Sequence, residues 1–581
     1  MRMHIVLGLV GALLLAGAGK LAWIEYARGG ELRTQAQAQH TASMVVPAQR
    51  GDILDARGRV LVGSVRRPMV FADPTRISDV RYAAYSVAPV LELDAAALER
   101  TLRERGDAQY VVIKRDLSDD MLRALEQVRD SRRLWGFRVQ NESARDYPYG
   151  GLAAHVVGFV QRDTSQAGLS GIEQAYERVL HGVDGRRWAT VDRQRRRLRP
   201  LTEQYEPPQD GATVVLTIDA SIQQAAEKHL RDAVEKFSVE WGAALVMDPR
   251  SGEVLALAVE PGFHPLDTIP PDEKLKQKAL ERRRNRAIAD AYEPGSIFKP
   301  FVASTALDAG LVSLDEWFEI NGPRRAFGRR TIQDVHPYAR LQFFEVISKS
   351  SNIGMGLLGQ RAGNARLNEW VRRFGFGQLT GIGLPGESAG LLADLGQWTS
   401  FSTQSIPIGQ EISVTPLQML AAFCALSNDG VLYRPRIVRG VVRTDGTVVE
   451  DCSQPVAVRR VVRAEIAHEF RQRALAETVR TGTGKGAAIP GYQVFGKTGT
   501  AQVAERGRGY TAGSYVGSFV GGAPAGEPRV AVLVSLYKPG GRAYYGGTIA
   551  APTAGRIMGD ALEYLGVPPE SSAEFGVAVP R

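Results

Sequence analysis

The residues with the clearest potential for chemistry are a serine and a lysine three positions apart, Ser296 and Lys299. A Pro-Gly pair at 294–295 interrupts the chain just before them, and apolar residues then follow with helical spacing. We therefore predict a helix with Ser296 as its N-cap, on which Ser296 and Lys299 share one face. A lysine whose pKa is depressed by burial or by another cation can accept the hydroxyl proton and make the serine a nucleophile.

A second candidate pair is Ser350 and Asn352, which lie in a segment, 344–359, that we predict to be helical. A hydroxyl and an amide two positions apart can relay a proton and hold a substrate amide at one site. Taken alone, the pair amounts to polar residues on a helix surface.

The third candidate is the run Gly-Lys-Thr-Gly-Thr at 496–500, within a strand predicted over 494–503. Lys497 can supply a positive field, and Thr498 can bind a carboxylate. Gly499 would let the backbone of a ligand approach an edge strand closely.

Two other patterns compete with these assignments. Residues 491–498 match the phosphate-loop pattern G-x-x-x-x-G-K-T, but that loop needs a helix starting at the lysine. Here strand-like residues occupy the supposed loop and the strand continues after it, which argues against nucleotide binding. Ser535 and Lys538 repeat the S-x-x-K spacing, and we interpret that stretch as the end of a strand.

The elements around these residues predict a sheet that could hold them. Strand patterns at 242–247 and 253–258 flank a turn, and three more follow one another at 494–503, 515–521 and 529–536. The region between is mostly helical. We therefore predict an α/β (α+β) architecture, an antiparallel sheet covered by helices.

The N-terminus predicts a membrane anchor. Residues 5–24 are apolar or small except for Lys20, and 20 residues of helix span about 30 Å, the thickness of a bilayer core. Lys20 near one end can snorkel and Trp23 suits the interface. A signal peptide cleaved after Ala-Gly-Ala at 16–18 is the alternative. Either way we expect the rest of the chain outside the cytoplasm.

Composition narrows the classes of function. The 581 residues are 44% hydrophobic and 23% charged, as in a globular protein of several domains. A net charge of +9 is modest and does not argue for nucleic acid. Two cysteines and eight scattered histidines do not predict a metal site. Seven arginines between 186 and 199 predict a solvated hairpin or, alternatively, a docking face for an anionic lipid or a partner.

Taken jointly, S-x-x-K at 296, S-x-N at 350 and K-T-G at 497 form a specific set, one related to the motifs of penicillin-binding proteins and β-lactamases. With them the chain resembles the class B penicillin-binding proteins, and within these the FtsI-like division transpeptidases. The resemblance covers roughly 45–560 and extends to further segments: 50–58, 145–148, 155–159, 168–173, 285–287 and 544–547. The chain departs from the first of these family patterns at Ala56 and Arg57.

The resemblance implies a penicillin-binding/serine β-lactamase-like domain at 209–569, a pedestal domain at 26–208, an anchor at 1–25 and a loose tail at 570–581. It implies peptidoglycan cross-linking without a metal or other cofactor. Ser296 would attack the D-Ala-D-Ala carbonyl of a stem peptide and Lys299 would be its base, with Ser350 and Asn352 in the proton network. Lys497 and Thr498 would bind the terminal carboxylate, next to Gly499.

The same resemblance implies that the backbone N–H groups of Ser296 and Thr500 form the oxyanion hole. β-Lactams would acylate Ser296. Expected partners are stem peptides, divisome proteins, an FtsW-like glycan polymerase and, through one helix, the inner membrane, with the catalytic domain periplasmic. The alternatives are an elongation-type transpeptidase, a carboxypeptidase, a β-lactamase, a β-lactam sensor, and a non-catalytic scaffold that activates a polymerase.

Overall fold

The computed structural model describes residues 2–163, 165–191, 197–505 and 509–570. The predicted tail from 571 onward and three of the clustered arginines, Arg193, Arg195 and Arg196, lie outside these described residues.

The α-helices are, in chain order, α1 Arg2–His40, α2 Val80–Val87, α3 Ala95–Glu104, α4 Asp119–Ser131, α5 Ala154–Val157, α6 Gly171–Ala175, α7 Glu177–Leu180, α8 Ala220–Phe237, α9 Glu273–Arg283, α10 Arg286–Ala289, α11 Lys299–Asp308, α12 Phe343–Ser348, α13 Asn352–Arg373, α14 Ser402–Ser405, α15 Pro416–Ser427, α16 Ala464–Phe470, α17 Ala476–Arg480, α18 Gly546–Ile549 and α19 Ala551–Tyr564. Short 3₁₀ helices lie at Pro74–Arg76, Gly295–Phe298, Leu395–Gln397, Ile406–Ile408 and Lys485–Ala487, and a π-helical turn lies at Arg471–Leu475.

The strands are β1 Thr41–Val46, β2 Ile53–Leu54, β3 Val60–Ala72, β4 Val111–Lys114, β5 Phe137–Asp146, β6 Gly185–Val191, β7 Arg197–Glu206, β8 Thr213–Leu216, β9 Val239–Met247, β10 Val254–Glu260, β11 Trp317–Glu319, β12 Arg324–Phe327, β13 Arg330–Gln333, β14 Arg340–Gln342, β15 Leu391–Leu392, β16 Ile412–Ser413, β17 Val431–Tyr433, β18 Val438–Val442, β19 Val448–Asp451, β20 Ala457–Arg460, β21 Phe495–Glu505, β22 Gly509–Ala523 and β23 Val530–Pro539.

The chain divides into two compact units, and the first comprises the described residues of 1–51 and 181–211. It contains α1 and a sheet in the order β1-β6-β7. Strands β6 and β7, which carry the described part of the Arg-rich span, pair antiparallel as predicted for a hairpin.

Helix α1 contains the predicted anchor. Its residues 3–28 form a 26-residue stretch with a mean hydropathy of 2.1, and the apolar side chains there are exposed. Among the described residues this is the one helix long and apolar enough to cross a membrane. Length and composition thus agree with an anchor; a signal sequence near the N-terminus would share both.

The second unit comprises the described residues of 52–180 and those from 212 onward. One of its sheets has the strand order β19-β18-β8-β2-β3-β4, with β5 also pairing with β3. In the segment 50–58, which carries part of the family resemblance, Gly58 (φ +80°) lies in the turn between β2 and β3. Asp219 caps α8 by accepting a hydrogen bond from the Ser221 N–H.

The other main sheet of this unit has the order β10-β9-β23-β22-β21, and every neighbouring pair is antiparallel. The five strands predicted from the sequence are all present, each extended or shifted by a few residues at its ends. Strand β21, which carries the K-T-G run, lies at the edge of this sheet.

Helices cover both faces of the five-stranded sheet. Along β9, Ala243, Leu245 and Met247 belong to the core formed with α11, α13 and α15, whereas Ala244 and Val246 belong to the core formed with α8 and α19. Alternation with period two sends successive side chains to opposite faces, so a strand buried on both sides is apolar at every position. The domain boundaries at 25, 208 and 569 remain predictions.

Candidate active site

The S-x-x-K residues lie on a 3₁₀ turn that leads into a helix. Gly295–Phe298 form the 3₁₀ helix, and α11 begins at Lys299, whose N–H donates to the Ser296 carbonyl oxygen. The prediction that Ser296 is an N-cap is wrong, because Pro294 occupies that position. Side chains three residues apart eclipse each other on a 3₁₀ turn, so Ser296 and Lys299 do share one face.

Close packing holds this turn in place. Gly295 has φ +58°, a left-handed conformation that glycine adopts without strain, and its N–H donates to the Gly409 carbonyl oxygen over 3.0 Å. A Cβ on Gly499 would lie 2.9 Å from Ile297 Cγ2. Gly499 therefore lets β21 approach the turn that carries Ser296; the approach of a ligand backbone to the same strand stays a prediction.

The S-x-N residues lie at a break between two helices, which corrects the prediction of one continuous helix. Helix α12 ends at Ser348, Ser350 has φ +63°, and α13 begins at Asn352. Ser351 is the N-cap of α13, its hydroxyl accepting from the Gly354 N–H. The break turns the Ser350 hydroxyl and the Asn352 amide toward the same ammonium group.

A buried carboxylate that the sequence analysis missed holds this break. Asp334, 3% exposed, accepts hydrogen bonds from the Asn352 N–H at 2.6 Å, the Ile353 N–H at 3.0 Å and the Ser351 hydroxyl at 2.6 Å. A carboxylate at the first turn of α13 is also stabilised by the helix dipole. Asp334 lies immediately after β13, 17 residues before Ser351, and no local pattern connects the two.

Lys299 is fully buried and makes three hydrogen bonds. Its Nζ donates to the Ser350 carbonyl oxygen at 2.7 Å, to Asn352 Oδ1 at 2.7 Å and to Ser350 Oγ at 3.1 Å. Burial lowers the pKa of Lys299 to about 7, and the Asp334 carboxylate opposes that shift. A substantial fraction of this side chain is therefore neutral at physiological pH.

Lys497 meets the same serine from β21. Its Nζ donates to Ser350 Oγ at 2.9 Å and to the Thr498 carbonyl oxygen at 2.9 Å, and the residue is fully buried. Burial and the charge of Lys299 lower the pKa of Lys497 well below its usual value. Because these two buried lysines share one hydroxyl, the state in which both are charged is unfavourable.

The two threonines of the K-T-G-T run have partners in neighbouring segments. The Thr498 and Thr483 hydroxyls lie 2.6 Å apart, and Thr500 Oγ1 accepts from the Gly546 N–H at 3.1 Å. Thr483 is a site residue that was not predicted from the sequence; the signal for it is the Gly-Thr-Gly run at 482–484. Ser296 itself is half-buried, so part of the residue is open to solvent.

Neither of the two rival patterns has the secondary structure that its function would need. The lysine and threonine of the phosphate-loop match lie within β21, not at the start of a helix. Ser535 and Lys538 lie within β23, as predicted. The structure therefore brings together Ser296, Lys299, Ser350, Asn352 and Lys497, with Thr498, Gly499 and Thr500 on the adjoining edge strand.

The arrangement suits nucleophilic catalysis. A neutral amine has two N–H donors and one lone pair, and the two 2.7 Å bonds of Lys299 use both donors. Its lone pair is then free to accept a proton from a hydroxyl. Ser350, between the two lysines, can pass a proton on.

Comparison with known families agrees with this geometry. Residues 242–559 match the penicillin binding protein transpeptidase domain, and residues 45–216 match the penicillin-binding protein dimerisation domain. The two matches cover most of the chain, including every residue of the candidate site.

Relatives match over almost their full length. Peptidoglycan D,D-transpeptidase FtsI of Escherichia coli is 31% identical over 97% of this chain and 92% of its own. Stage V sporulation protein D of Bacillus subtilis is 31% identical over 95% of this chain and 84% of its own. Penicillin-binding protein PbpB of Mycobacterium tuberculosis is 33% identical over 96% of this chain and 84% of its own.

Solved structures show the same fold. Penicillin binding protein 3 of Mycobacterium tuberculosis, in complex with ampicillin, superposes with a TM-score of 0.70 at 30% identity, covering 93% of this chain and 100% of that one. A peptidoglycan synthetase from Bifidobacterium adolescentis gives a TM-score of 0.70 at 26% identity, with the same coverage. The chain therefore belongs to the class B penicillin-binding proteins, the family of peptidoglycan D,D-transpeptidases.

Proposed function

We propose that this protein cross-links peptidoglycan stem peptides through an acyl-enzyme on Ser296 and that it does so at the division septum. The observation that carries the chemistry is the environment of Lys299. It is fully buried beside the serine turn, both N–H donors of its neutral form are occupied, and its pKa is near 7. Those are the properties of a general base at neutral pH.

In the first half-reaction Ser296 Oγ attacks the carbonyl carbon between the two terminal D-Ala residues of a stem peptide. Lys299 Nζ accepts the hydroxyl proton, and the backbone N–H groups of Ser296 and Thr500 stabilise the oxyanion. The C–N bond then breaks, and the departing D-Ala amine takes a proton that Lys299 returns through Ser350. The products are an ester on Ser296 and free D-Ala.

In the second half-reaction the amine of another stem peptide attacks the Ser296 ester. Lys299, again neutral, accepts a proton from the attacking amine and returns it to Ser296 Oγ as the ester bond breaks. The product is a new amide cross-link and the free serine, so no metal or redox cofactor enters the balance. A β-lactam would follow the first half-reaction and stop at the acyl-enzyme.

The terminal carboxylate of the donor peptide would bind at Lys497 and Thr498. The Thr498 hydroxyl pairs with Thr483, which orients it. A neutral Lys299 removes one of the two causes that lower the pKa of Lys497, so Lys497 would then gain a proton more readily and supply positive charge. Because the anionic substrate favours a proton on Lys497 and that proton disfavours one on Lys299, substrate binding would favour the basic form of Lys299.

Intact-mass spectrometry tests the acylation. Wild-type protein incubated with a penicillin should gain the mass of one drug molecule, and peptide mapping should place it on Ser296. With a pentapeptide substrate, the release of D-Ala should depend on the same residue. Drug mass on any other serine would refute the assignment, and a labelled protein that forms no cross-links with acceptor peptide would support the carboxypeptidase or sensor alternatives.

The septal role is supported by the similarity to FtsI and by the apolar helix α1, which would anchor the chain with its catalytic part outside the cytoplasm. Neither family match names a glycan-polymerising domain, so we expect a separate membrane-embedded polymerase of the FtsW type as a partner. Depletion should give filaments, and a tagged copy should concentrate at midcell. Rounded cells with labelling along the side wall would favour the elongation alternative.

The anchor can be tested separately. Mass spectrometry of membrane-purified protein should find the N-terminus at Met1, whereas a mature N-terminus near residue 19 would identify a cleaved signal peptide. Replacing residues 1–25 by an unrelated membrane helix should impair division without changing penicillin labelling. Full complementation by Ser296→Ala would favour the scaffold alternative.

A further inference from the structure

A cavity of about 410 Å³ lies in the second unit, and none of its lining residues belongs to the candidate active site. It is formed where the turn between β9 and β10, the end of α15, strands β17 and β20, and the turn between β22 and β23 meet. Four arginines line it: Arg250, Arg460, Arg471 and Arg529. We refer to it as the arginine cavity.

Within the described residues, only one of these four arginines forms an ion pair with a carboxylate, although the Asp429 carboxylate also raises the pKa of Arg471. Arg250 donates from Nε and Nη2 to the two oxygens of Asp248, at 3.0 and 2.7 Å. Among the described residues, no carboxylate oxygen lies within 4.0 Å of the Arg460, Arg471 or Arg529 guanidinium. The two carboxylates on the cavity wall, Asp429 and Glu527, are exposed to solvent.

Arg471 is the most deeply placed of the three. It is 4% exposed, and it donates to the carbonyl oxygens of Ala525 at 2.7 Å, Leu426 at 3.1 Å, Asn428 at 3.4 Å and Gly526 at 3.4 Å. Carbonyl groups satisfy N–H donors but carry no net charge. Burial lowers the pKa of Arg471 to about 10, so it remains charged at neutral pH.

Arg529 and Arg460 add N–H donors that have no acceptor among the described residues. Arg529 Nε is buried and has no hydrogen-bond acceptor in the part of the chain that the structure describes. Arg460 is an exposed residue and donates from Nη1 to the Asp429 carbonyl oxygen. A buried donor without an acceptor is destabilising, and a bound anion would remove that cost.

We propose that the arginine cavity binds a small, multiply charged oxyanion that carries phosphate or carboxylate groups. The planar fork of a guanidinium matches both groups through paired N–H···O bonds. Several arginine charges that line one cavity favour a ligand with more than one negative charge. The volume falls within the range of small-molecule sites and exceeds that of a single phosphate. A diphosphate or a tricarboxylate fits the charge and the size.

Calorimetry on the full chain in detergent tests this proposal, with pyrophosphate, citrate and inorganic phosphate as probes at constant ionic strength. Wild-type protein should bind at least one of them saturably, and the preferred probe identifies the phosphate or the carboxylate source. Arg529→Gln and Arg460→Gln should each weaken that binding about 10-fold or more, the usual effect of losing one charge-assisted bond.

The matched control is Arg459→Gln. Arg459 precedes Arg460 on β20, lines a different cavity and donates to the Arg372 carbonyl oxygen. It carries the same charge, so it separates a specific site from general electrostatic attraction. Its removal should leave the binding constant within about 2-fold of wild type.

Two results would overturn the proposal. One is the absence of saturable binding of all three probes to a protein that still labels with penicillin. The other is equal weakening by the Arg459 and Arg529 variants. To separate binding from folding, thermal unfolding is measured with and without the probe: a site predicts that Arg529→Gln loses the probe-induced rise in Tm. A variant that lowers Tm yet keeps the full rise would show a structural role only.

Discussion

The chain contains the spacing S-x-x-K twice, and the two copies differ in every property that matters for chemistry. Ser296 and Lys299 lie at the start of α11, where a 3₁₀ turn places both side chains on one face. Ser535 and Lys538 lie on β23, where residues three apart point to opposite faces of a sheet. The same spacing can make a catalytic pair on a helix and cannot do so on a strand.

The surroundings differ as much as the geometry. Ser535 Oγ is buried, 2.7 Å from the Tyr292 hydroxyl and 3.2 Å from Ser518 Oγ, so it serves the packing of the sheet. Lys538 Nζ is near the surface, 3.8 Å from Glu240 Oε2. Lys299, in contrast, is fully buried and forms no ion pair within the part of the chain that the structure describes, and this burial lowers its pKa into the range of a base. Reactivity therefore follows from burial and from secondary structure together.

The largest expected difference between the two copies is in acylation itself. Ser296→Ala should abolish covalent labelling by a fluorescent penicillin, because the attacking oxygen is gone, whereas Ser535→Ala should label at the wild-type rate. Circular dichroism should show both variants folded. Labelling of the Ser296 variant would overturn the comparison.

Replacing the two lysines should give the next largest difference. Lys299→Met removes the base but keeps an apolar chain of similar length, and loss of general base catalysis typically slows a reaction by about 10²–10⁴-fold. Lys538→Met should change the acylation rate by less than about 2-fold. Stopped-flow or gel-based acylation kinetics would measure both; similar rates in the two variants would contradict the base role of Lys299.

The third test concerns Lys497, which donates a hydrogen bond to Ser350 beside the catalytic pair. Loss of one charge-assisted contact costs about 1.5–3 kcal/mol, so Lys497→Ala should slow acylation about 10- to 100-fold or more. Lys497→Arg should keep part of the rate if the residue supplies charge. An alanine variant as active as the wild type would remove Lys497 from the site.

A fourth test uses the carboxylate that holds Ser350 and Asn352 beside Lys299. Asp334→Asn keeps the size of the side chain but loses the charge in three hydrogen bonds, so we expect acylation to slow about 10-fold and Tm to fall as well. The pH profile should also move, because the Asp334 carboxylate raises the pKa of Lys299. A wild-type profile in the Asn variant would mean that Asp334 acts only on the fold.

The smallest effect is the pH dependence of the wild-type enzyme. With a Lys299 pKa of about 7, the acylation rate should level off above pH 7 and fall by up to about 10-fold per unit below it, as the base becomes protonated. The same shift affects stability. Because the folded pKa is below that of the unfolded chain, the unfolded state binds more protons between pH 7 and about 10.5, so this group makes stability rise with pH there.

Local pattern was sufficient to predict several parts of the molecule. The five strands of the catalytic sheet follow from runs of apolar residues bounded by turns, and the rejection of the phosphate loop followed from the same strand pattern. The motif residues were predicted from their types, spacing and order, which a family preserves even where 31–33% of residues are identical.

Other features could not be predicted from the local sequence, because they depend on residues that are distant along the chain. The break at Ser350 depends on Asp334, which is distant in sequence, and the helical pattern of 344–359 conceals it. The role of Gly499 depends on the turn at Ile297, about 200 residues earlier. The N-cap assignment of Ser296 failed because Pro-Gly permits either a cap or a 3₁₀ turn, and packing against Gly409 selects the turn.

The sequence by itself determined which groups are available to this protein: a hydroxyl nucleophile, two lysines, an amide and an edge strand, together with an apolar segment long enough for a membrane. Only the tertiary structure decided how deeply these groups are buried, which groups they meet and what pKa they have. Burial is a property of the packed chain, and it is burial that lowers the pKa of Lys299 to about 7 and brings Lys497 to the same hydroxyl. Two lysines 198 positions apart in sequence are solvated cations when the chain is unfolded; only desolvation and proximity make one of them a base.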